Sequence, residues 1–243
     1  MVIDTGAARL RVTGGATLTV ETTASTAAAD LRLHILGSGM GALCHQRGLL
    51  ALHAAALAGS GGAVAFVGGS GAGKSTLAAL VDGRGGVVLC DDLCVIGFDA
   101  AGPVTWPGVA RIKLWPDAAA LLGLDPATLT RISPAADKLA APIHGLAGVA
   151  ARPLGRVYVL DEAEHGAAPR RLGGSEAAGA LFAHVYRWPL AVRTGQAQAV
   201  FAACVALART CPVLALPPAH NLAELSARVD ALVPSLAKRA EGF

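Results

Sequence analysis

The chain lacks the features of a secreted, membrane-spanning or nucleic-acid-binding protein. Its 243 residues carry a formal net charge of +3, and the basic residues are scattered instead of forming a run, which argues against a nucleic-acid surface. No basic segment followed by an apolar one opens the sequence, so nothing predicts secretion. The uncharged interval 48–73 is broken by many glycines, and the apolar run 199–208 is too short to cross a bilayer. We therefore expect a cytoplasmic protein with no membrane or nucleic-acid partner.

The cysteines form no pattern that predicts disulfides or a zinc site. There are five of them, an odd number, and they lie within apolar runs: Cys44, Cys90, Cys94, Cys204 and Cys211. Buried free thiols are the simplest interpretation. A single C-x₃-C spacing at Cys90 and Cys94, without a second cysteine or histidine pair, is weak evidence for zinc.

The most informative stretch is a glycine-rich sequence that follows the apolar run 63–67. It consists of Gly68, Gly69, Ser70, Gly71, Ala72, Gly73, Lys74, Ser75 and Thr76, and it matches G-x-x-x-x-G-K-[ST] between a predicted strand and a predicted helix. Glycines allow successive N–H groups to point at phosphate oxygens, and the helix start adds its positive dipole end. The sequence therefore predicts a phosphate-binding loop, with Lys74 on the β- and γ-phosphates and Ser75 on Mg²⁺. The alternative is a glycine-rich turn with an incidental lysine.

Two adjacent carboxylates, Asp91 and Asp92, end the next apolar strand, 87–90. A strand, a loop, a short helix and a second strand predict a βαβ unit whose second strand returns beside the first, which brings both carboxylates near the phosphates. Phosphoryl transfer needs a metal ion and often a carboxylate that accepts the proton of the nucleophile. The pair can divide these tasks; the alternative is a metal site alone, as in an ATPase.

His53 lies in the apolar stretch 49–57, which we predict to be one buried strand. A lone histidine there is more often a core residue than a catalyst. A neighbouring strand would nevertheless bring it close to Asp91, where it could orient that carboxylate or tune its pKa.

The N-terminal 48 residues predict a small unit packed on the rest of the chain. Residues 8–21 alternate between apolar and polar, which predicts a β-hairpin. A helix is predicted from Asp30, as its N-cap, to residue 48. Three glycines weaken this helix intrinsically and indicate close packing: Gly37, Gly39 and Gly41.

Residues 49–243 predict a single α/β domain. Further predicted strands are 157–160 and 213–216. Further helices begin at Pro116 and cover 175–187, 191–209 and a last segment opened by Asn221 and Glu224. Residues 99–110 are rich in glycine and proline, and residues 124–153 are predicted to form a long loop.

The run 50–96, which reads LALHAAALAGSGGAVAFVGGSGAGKSTLAALVDGRGGVVLCDDLCVI, resembles the core of the C-terminal domain of HPr serine kinase/phosphorylase. That family shares a histidine before the phosphate loop, the loop itself and an Asp-Asp pair after the next strand. The flanking sequences 44–48 and 111–117 are similar to short HPr-kinase-related bacterial proteins. The close resemblance covers about a fifth of the chain.

The resemblance implies a P-loop α/β fold like that of phosphoenolpyruvate carboxykinase, with a mixed sheet flanked by helices. It also implies phosphorylation of a serine by ATP and Mg²⁺. It implies that Asp91 is the general base supported by His53, that Lys74 binds phosphate, and that Ser75 and Asp92 hold Mg²⁺. The implied acceptor is a protein or peptide, such as a lasso-type or other modified peptide or an HPr-like carrier, and the implied assembly is a homo-oligomer.

The chain departs from this family in two places. Residues 1–48 are too short to be a copy of the separate N-terminal domain of the full-length enzymes. Where the family carries a metal-associated glutamate, this chain offers Lys113, or slightly later Asp117.

Three functions remain open from the sequence. The leading one is a serine kinase of the HPr-kinase type. The second is a small-molecule kinase, which a polar pocket with extra arginines over the acceptor would favour. The third is a nucleotide-binding regulatory or assembly module with little or no transfer. Candidates for contacting the transferred phosphate are Arg131, Lys138 and Arg187, each of which is alternatively a solvated surface residue.

Overall fold

The structure is a computed structural model that describes residues 1–59, 61–146, 149–160, 168–217 and 219–232. It opens with a three-stranded antiparallel sheet of β1 (Val2–Asp4), β2 (Ala8–Thr13) and β3 (Thr17–Thr22). Side chains of β2 alternate strictly between buried and exposed, as expected for a sheet with one covered face. The predicted hairpin is confirmed, and β1 adds a third strand to it.

The predicted N-terminal helix is confirmed within two residues at each end. It consists of α1 (Ala28–His34), a π-helical turn (Ile35–Gly39) and α2 (Met40–Gln46). Asp30 is not its N-cap, because the helix begins two residues earlier. The carboxylate of Asp30 instead accepts a hydrogen bond from the Ser133 hydroxyl at 2.5 Å. The glycines do pack closely: a Cβ on Gly39 would lie 2.8 Å from Leu18, and one on Gly41 would lie 3.0 Å from the Tyr186 ring.

The remaining strands form a large mixed sheet and a small antiparallel one. In chain order they are β4 (Leu50–Leu52), β5 (Ala54–Gly59), β6 (Gly62–Val67), β7 (Val87–Cys90), β8 (Cys94–Asp99), β9 (Gly102–Thr105), β10 (Arg111–Leu114), β11 (Thr130–Arg131), β12 (Leu139–Pro142), β13 (Arg152–Val159), β14 (Arg170–Arg171) and β15 (Val213–Ala215). The order in the large sheet is β4-β8-β9-β13-β6-β5-β7, with β15 beside β13 and β14 beside β15. Strand β13 is parallel to β6 and β15, and the other pairs are antiparallel. The small sheet has the order β10-β12-β11.

Three sequence-based predictions about these strands were wrong. The stretch 49–57 is not one strand: it breaks at His53, because β4 pairs with β8 while β5 pairs with β6 and β7. Strand β7 does not return beside β6, since the β5–β6 hairpin already occupies that edge. The predicted loop 124–153 contains β11, β12 and the start of β13; β11 pairs with β12 inside this segment, whereas β12 also pairs with β10, and β13 pairs with β9, outside it.

Helices cover both faces of the large sheet. They are α3 (Lys74–Gly83), α4 (Pro116–Leu121), α5 (Gly174–Ala183), α6 (Trp188–Arg193), α7 (Ala197–Thr210) and α8 (Leu222–Leu232), with a 3₁₀ turn at Pro126–Thr128. The prediction 175–187 runs past the end of α5, and 191–209 splits at Gly195, whose φ is 73°. Asn221 caps α8 as predicted, because its side-chain oxygen accepts a hydrogen bond from the backbone N–H of Glu224 at 2.9 Å. The Glu224 carboxylate in turn accepts a hydrogen bond from the backbone N–H of His220, the residue before the cap.

The core has one layer on each face of this sheet. On one face α5 and α7 contribute buried apolar side chains such as Leu181 and Leu207, and on the other α3 and α8 contribute Leu77 and Val229. All five cysteines are buried and free, as predicted. The architecture is therefore the expected α/β fold with a mixed sheet flanked by helices. Among the described residues, no helix has the length and apolarity that crossing a membrane would require.

Candidate functional site

The glycine-rich sequence forms the connection between β6 and α3. Gly71 and Gly73 have φ angles of 90° and 92°, a left-handed conformation that glycine adopts without steric cost. Lys74 begins α3, and its side chain folds back so that Nζ donates to the carbonyl oxygens of Gly68 at 2.6 Å and Gly69 at 2.8 Å. The lysine is 5% exposed. A buried cation therefore lies against the backbone of the connection that precedes it.

Asp91 follows β7 directly and is buried beside α3. The Ser75 hydroxyl donates to its Oδ1 at 2.9 Å, and the backbone N–H of Lys113 donates to its Oδ2 at 2.9 Å. Burial raises the pKa of Asp91, and these two hydrogen bonds act in the opposite direction without cancelling the effect. Asp91 thus joins the start of α3 to β10.

Asp92 has a φ of 78°, which is uncommon outside glycine, and it contacts a different set of groups. Its Oδ2 accepts from Lys113 Nζ at 2.5 Å and from the Tyr186 hydroxyl at 3.4 Å, while its Oδ1 lies 3.4 Å from Nδ1 of His53. Burial raises the pKa of Asp92, but the charge and hydrogen bond of Lys113 more than offset this, so the pKa is lowered. The carboxylate is therefore ionised at neutral pH.

His53 lies between β4 and β5, and its backbone N–H donates to the carbonyl oxygen of His184 at 2.8 Å. Burial lowers the pKa of the ring to about 4, and the charge of Lys74 acts in the same direction while that of Asp92 opposes it. The ring is thus neutral at pH 7, and its contact with Asp92 is not an ion pair. It stacks on Tyr186 with centroids 6.3 Å apart and an interplanar angle of 12°.

These contacts reverse the expected pairing of the two carboxylates. The sequence-based hypothesis placed His53 beside Asp91 and Ser75 beside Asp92, but the structure places Ser75 with Asp91 and His53 with Asp92. The left-handed backbone at Asp92 separates the directions of the two consecutive side chains. The proposed catalytic and metal-binding roles themselves stay predictions.

A cavity of about 600 Å³ opens over the glycine-rich connection. Its floor includes residues 70–76 and both carboxylates, and its walls come from α4 and the start of α8. Trp115 and Asp117 line it, and Lys138 lies over the Trp115 ring with Nζ 5.2 Å from the centroid. Its volume is within the range of ~300–1,000 Å³ that is usual for small-ligand sites.

A second cavity of about 380 Å³ adjoins the first. His53, Ser70, Asp92 and Lys113 line both cavities. The remaining wall of the second comes from Gly68, Gly69 and the turn 183–187 between α5 and α6. Asp92 is therefore accessible from two separate spaces.

One solved structure similar to this chain is that of the HPr(Ser) kinase/phosphatase from Coxiella burnetii. The two share 17% sequence identity over 75% of this chain and 96% of the other, with a TM-score of 0.39. No family model and no curated protein matches the chain. This level of similarity does not establish a shared activity.

The residues around Ser75 fit a magnesium ion that is shared with phosphates. Mg²⁺ is usually held by one or two carboxylates together with waters and substrate phosphates, and the Ser75 hydroxyl and the Asp91 carboxylate are hard oxygen donors within 2.9 Å of each other. In the part of the chain that the structure describes, no group of three or more His, Cys, Asp or Glu could hold a metal ion by itself. The donors thus suit an ion that arrives with a nucleotide.

Two side chains that contact Asp92 could not be assigned to the site from the sequence. Tyr186 lies in a predicted helix, and only the fold brings its hydroxyl to Asp92. Lys113 was predicted only as the residue at the position of a family glutamate, and it instead pairs with Asp92. Of the candidate phosphate contacts, Lys138 and Arg187 line the first and second cavity respectively, whereas Arg131 pairs with Asp137 at the surface and lines neither.

Proposed function

We propose that this protein is an ATP-dependent phosphotransferase that moves the γ-phosphate of ATP to a hydroxyl group, with a serine of a small protein or ribosomal peptide as acceptor. The observation that carries the proposal is the junction of the two cavities at Asp92. One cavity contains the glycine-rich connection, which suits the nucleotide. The other offers a separate approach to the same carboxylate, which suits the acceptor.

The triphosphate is proposed to bind along residues 68–76, where the backbone and the start of α3 offer N–H groups. Lys74 Nζ now bonds two carbonyl oxygens, and phosphate oxygens would be stronger acceptors because they are charged. Ser75 and Asp91 would hold Mg²⁺, which supplies neutralisation of the charge on the phosphates during transfer.

Asp92 is the proposed general base, in place of Asp91. The acceptor oxygen bonds to the γ-phosphorus as the bond from that phosphorus to the bridging oxygen breaks, ADP leaves, and the hydroxyl proton passes to Asp92. Lys113 fixes Oδ2, so Oδ1, beside the neutral His53 ring, is the oxygen proposed to take the proton. His53 then acts as a positioning residue.

A small-molecule kinase is the second candidate, and one observation favours it. Arg187 lines the second cavity, and an arginine over the acceptor is the feature expected of a kinase that recognises a small polar substrate. The nucleotide-binding module remains the non-catalytic alternative. The homo-oligomer, the cytoplasmic location and the division into residues 1–48 and 49–243 stay predictions.

The test is incubation with ATP, Mg²⁺ and a panel of serine-containing peptides and small hydroxyl compounds, followed by mass spectrometry and ADP measurement. We expect one phosphate on an acceptor hydroxyl for each ADP formed, and no product with Lys74→Met, which removes the buried cation. ATP that binds but yields no phosphorylated acceptor would favour the non-catalytic module. Product formation at the wild-type rate by Lys74→Met would contradict the assigned phosphate site.

A further inference from the structure

The second cavity has the size and position of a subsite for a small acceptor group. Its volume of about 380 Å³ lies at the lower end of the usual range for small ligands. A ligand there would contact Asp92 without occupying the glycine-rich connection. The cavity therefore accommodates a side chain and its immediate neighbours, or a compound of similar size.

Backbone strain is concentrated at this cavity. Among the described residues, two that are not glycine have a positive φ: Asp92 at 78° and Arg187 at 48°. Both line the second cavity. Such conformations persist where the surrounding structure enforces them, and they are frequent at ligand sites.

The cavity carries an excess of positive charge. Among its described lining residues, Lys113 and Arg187 are cationic and Asp92 is acidic, and Asp92 is already paired with Lys113 at 2.5 Å. The Arg187 guanidinium lies 5.6 Å from the centroid of the buried Tyr186 ring, and no carboxylate of the described residues forms an ion pair with it. One unit of positive charge is thus left over, at a guanidinium that a ring holds in place.

A neighbouring arginine reinforces this excess. Arg111 lies two residues before Lys113 in β10 and is half-buried. Burial lowers the pKa of Arg111, and repulsion from Arg32 lowers it further, while attraction to Asp92 acts in the opposite direction. Arg111 is therefore a further cation near Asp92, the carboxylate that Lys113 already neutralises, and Asp91 attracts it as well.

We propose that the second cavity is an acceptor subsite for a hydroxyl compound that carries a carboxylate, with Arg187 pairing with the carboxylate and the hydroxyl directed toward Asp92. Guanidinium and carboxylate form paired, charge-assisted hydrogen bonds, and one carboxylate matches the one uncompensated charge. Phosphorylation of the bound hydroxyl rests on the proposed phosphotransfer function, but binding of the compound through its carboxylate does not. A free hydroxy acid and a peptide ending in serine present the same chemistry.

The test compares N-acetyl-L-serine with N-acetyl-L-serinamide, which differ only in the carboxylate. Binding is measured by calorimetry on the full chain saturated with Mg²⁺ and a non-hydrolysable ATP analogue. We expect the acid to bind roughly 10- to 100-fold more tightly than the amide, as for a hydrogen bond between charged groups. Arg187→Asn should abolish this preference, and asparagine tolerates the left-handed backbone. Arg209→Gln, which removes the same charge from the exposed side of α7, should retain it.

Equal affinity for the two probes, a preference that survives Arg187→Asn, or no binding of either probe at millimolar concentration would overturn the proposal. The wild-type comparison decides even if the variant does not fold. Arg187→Lys, which keeps the charge but loses the planar fork, should reduce the preference without removing it.

The same measurements separate this proposal from the phosphotransfer function. Tight binding of N-acetyl-L-serine with no phosphorylation would refute the transferase and leave the subsite. Equal phosphorylation of acid and amide would refute the subsite and leave the transferase. Titrations with L-glycerate and with the tetrapeptide Ala-Ala-Ala-Ser then show which source of the carboxylate fits better.

Discussion

Replacing Asp92 by asparagine removes the charge of the proposed base while keeping its size. Asparagine tolerates a left-handed backbone better than most residues, so the φ of 78° at this position does not confound the result. The amide oxygen, in the position of Oδ2, can still accept from Lys113 and the Tyr186 hydroxyl. The amide nitrogen, in the position of Oδ1, can donate to Nδ1 of the neutral His53 ring. What is lost is the ability to accept a proton at neutral pH.

The expected loss follows from the position of Asp92. A positioned base contributes ~10²–10⁴-fold to the rate, which corresponds to about 3–5 kcal/mol of activation free energy. The stability cost is smaller than the ~3–5 kcal/mol of breaking a fully buried ion pair, because the side chains of Lys113 and Asp92 are 14% and 20% exposed. A typical domain has about 5–15 kcal/mol of stability, so we expect the variant to fold and bind nucleotide.

The assay is the rate of acceptor phosphorylation, with nucleotide affinity measured separately by calorimetry. Asp91→Asn is the contrasting variant: it should raise the Mg²⁺ concentration needed for half-maximal rate, since Asp91 contacts Ser75. Asp137→Asn, which removes an exposed charge that pairs with Arg131, is the control. It should change neither the rate of phosphorylation nor its Mg²⁺ dependence. A phosphorylation rate for Asp92→Asn within a factor of three of wild type would refute Asp92 as the general base. A large loss of rate in Asp91→Asn with unchanged Mg²⁺ dependence would instead support Asp91 as the base, as the sequence predicted.

Three further predictions concern the surroundings of the site. Gly41→Ala places a Cβ 3.0 Å from the buried Tyr186 ring and should destabilise the fold by about 1–3 kcal/mol in urea unfolding, whereas Gly179→Ala, where a Cβ meets nothing within 4 Å, should stabilise it by ~0.5–1 kcal/mol. Burial lowers the pKa of His45 below its ordinary 6.5, so near that pH the unfolded state binds a proton that the folded state does not. The free energy of unfolding should therefore fall as the pH drops below 6.5, and it should fall less steeply in His45→Gln. EDTA should leave the melting temperature of the nucleotide-free protein unchanged, because Ser75 bonds Asp91 directly, but should stop transfer; a lower melting temperature would indicate a structural metal.

The parts of the fold that could be predicted from the sequence are those with local causes. The alternation in residues 8–21 required one covered face, and the structure has that hairpin. Asn221 caps the helix that it precedes because its side chain reaches a backbone N–H three residues later. The strand, the glycine-rich connection and the following short helix also lie where the spacing predicted them. In each case the determining contacts join residues within one turn or one hairpin of the chain.

The failures concern which strands become neighbours. Nothing in the run 49–57 indicates that residues on the two sides of His53 pair with different strands. Likewise, the crossover from β6 to β7 is consistent with adjacent strands, and only the β5–β6 hairpin inserts β5 between them. Strand order is set by the total burial and hydrogen bonding of the sheet, so a local pattern does not specify it.

The order of the residues specifies that a glycine-rich connection ending in a lysine and a serine leads into a helix, and that two carboxylates follow the next strand. The folding of the whole chain was needed to bring Asp91 to Ser75, 16 residues away, and Asp92 to Tyr186, 94 residues away. The difference lies in the distance along the chain over which each interaction acts. Backbone sterics and capping act within a few residues, whereas the direction of a site's side chains depends on sheet order and on one left-handed residue, both of which are fixed only when the whole chain has packed.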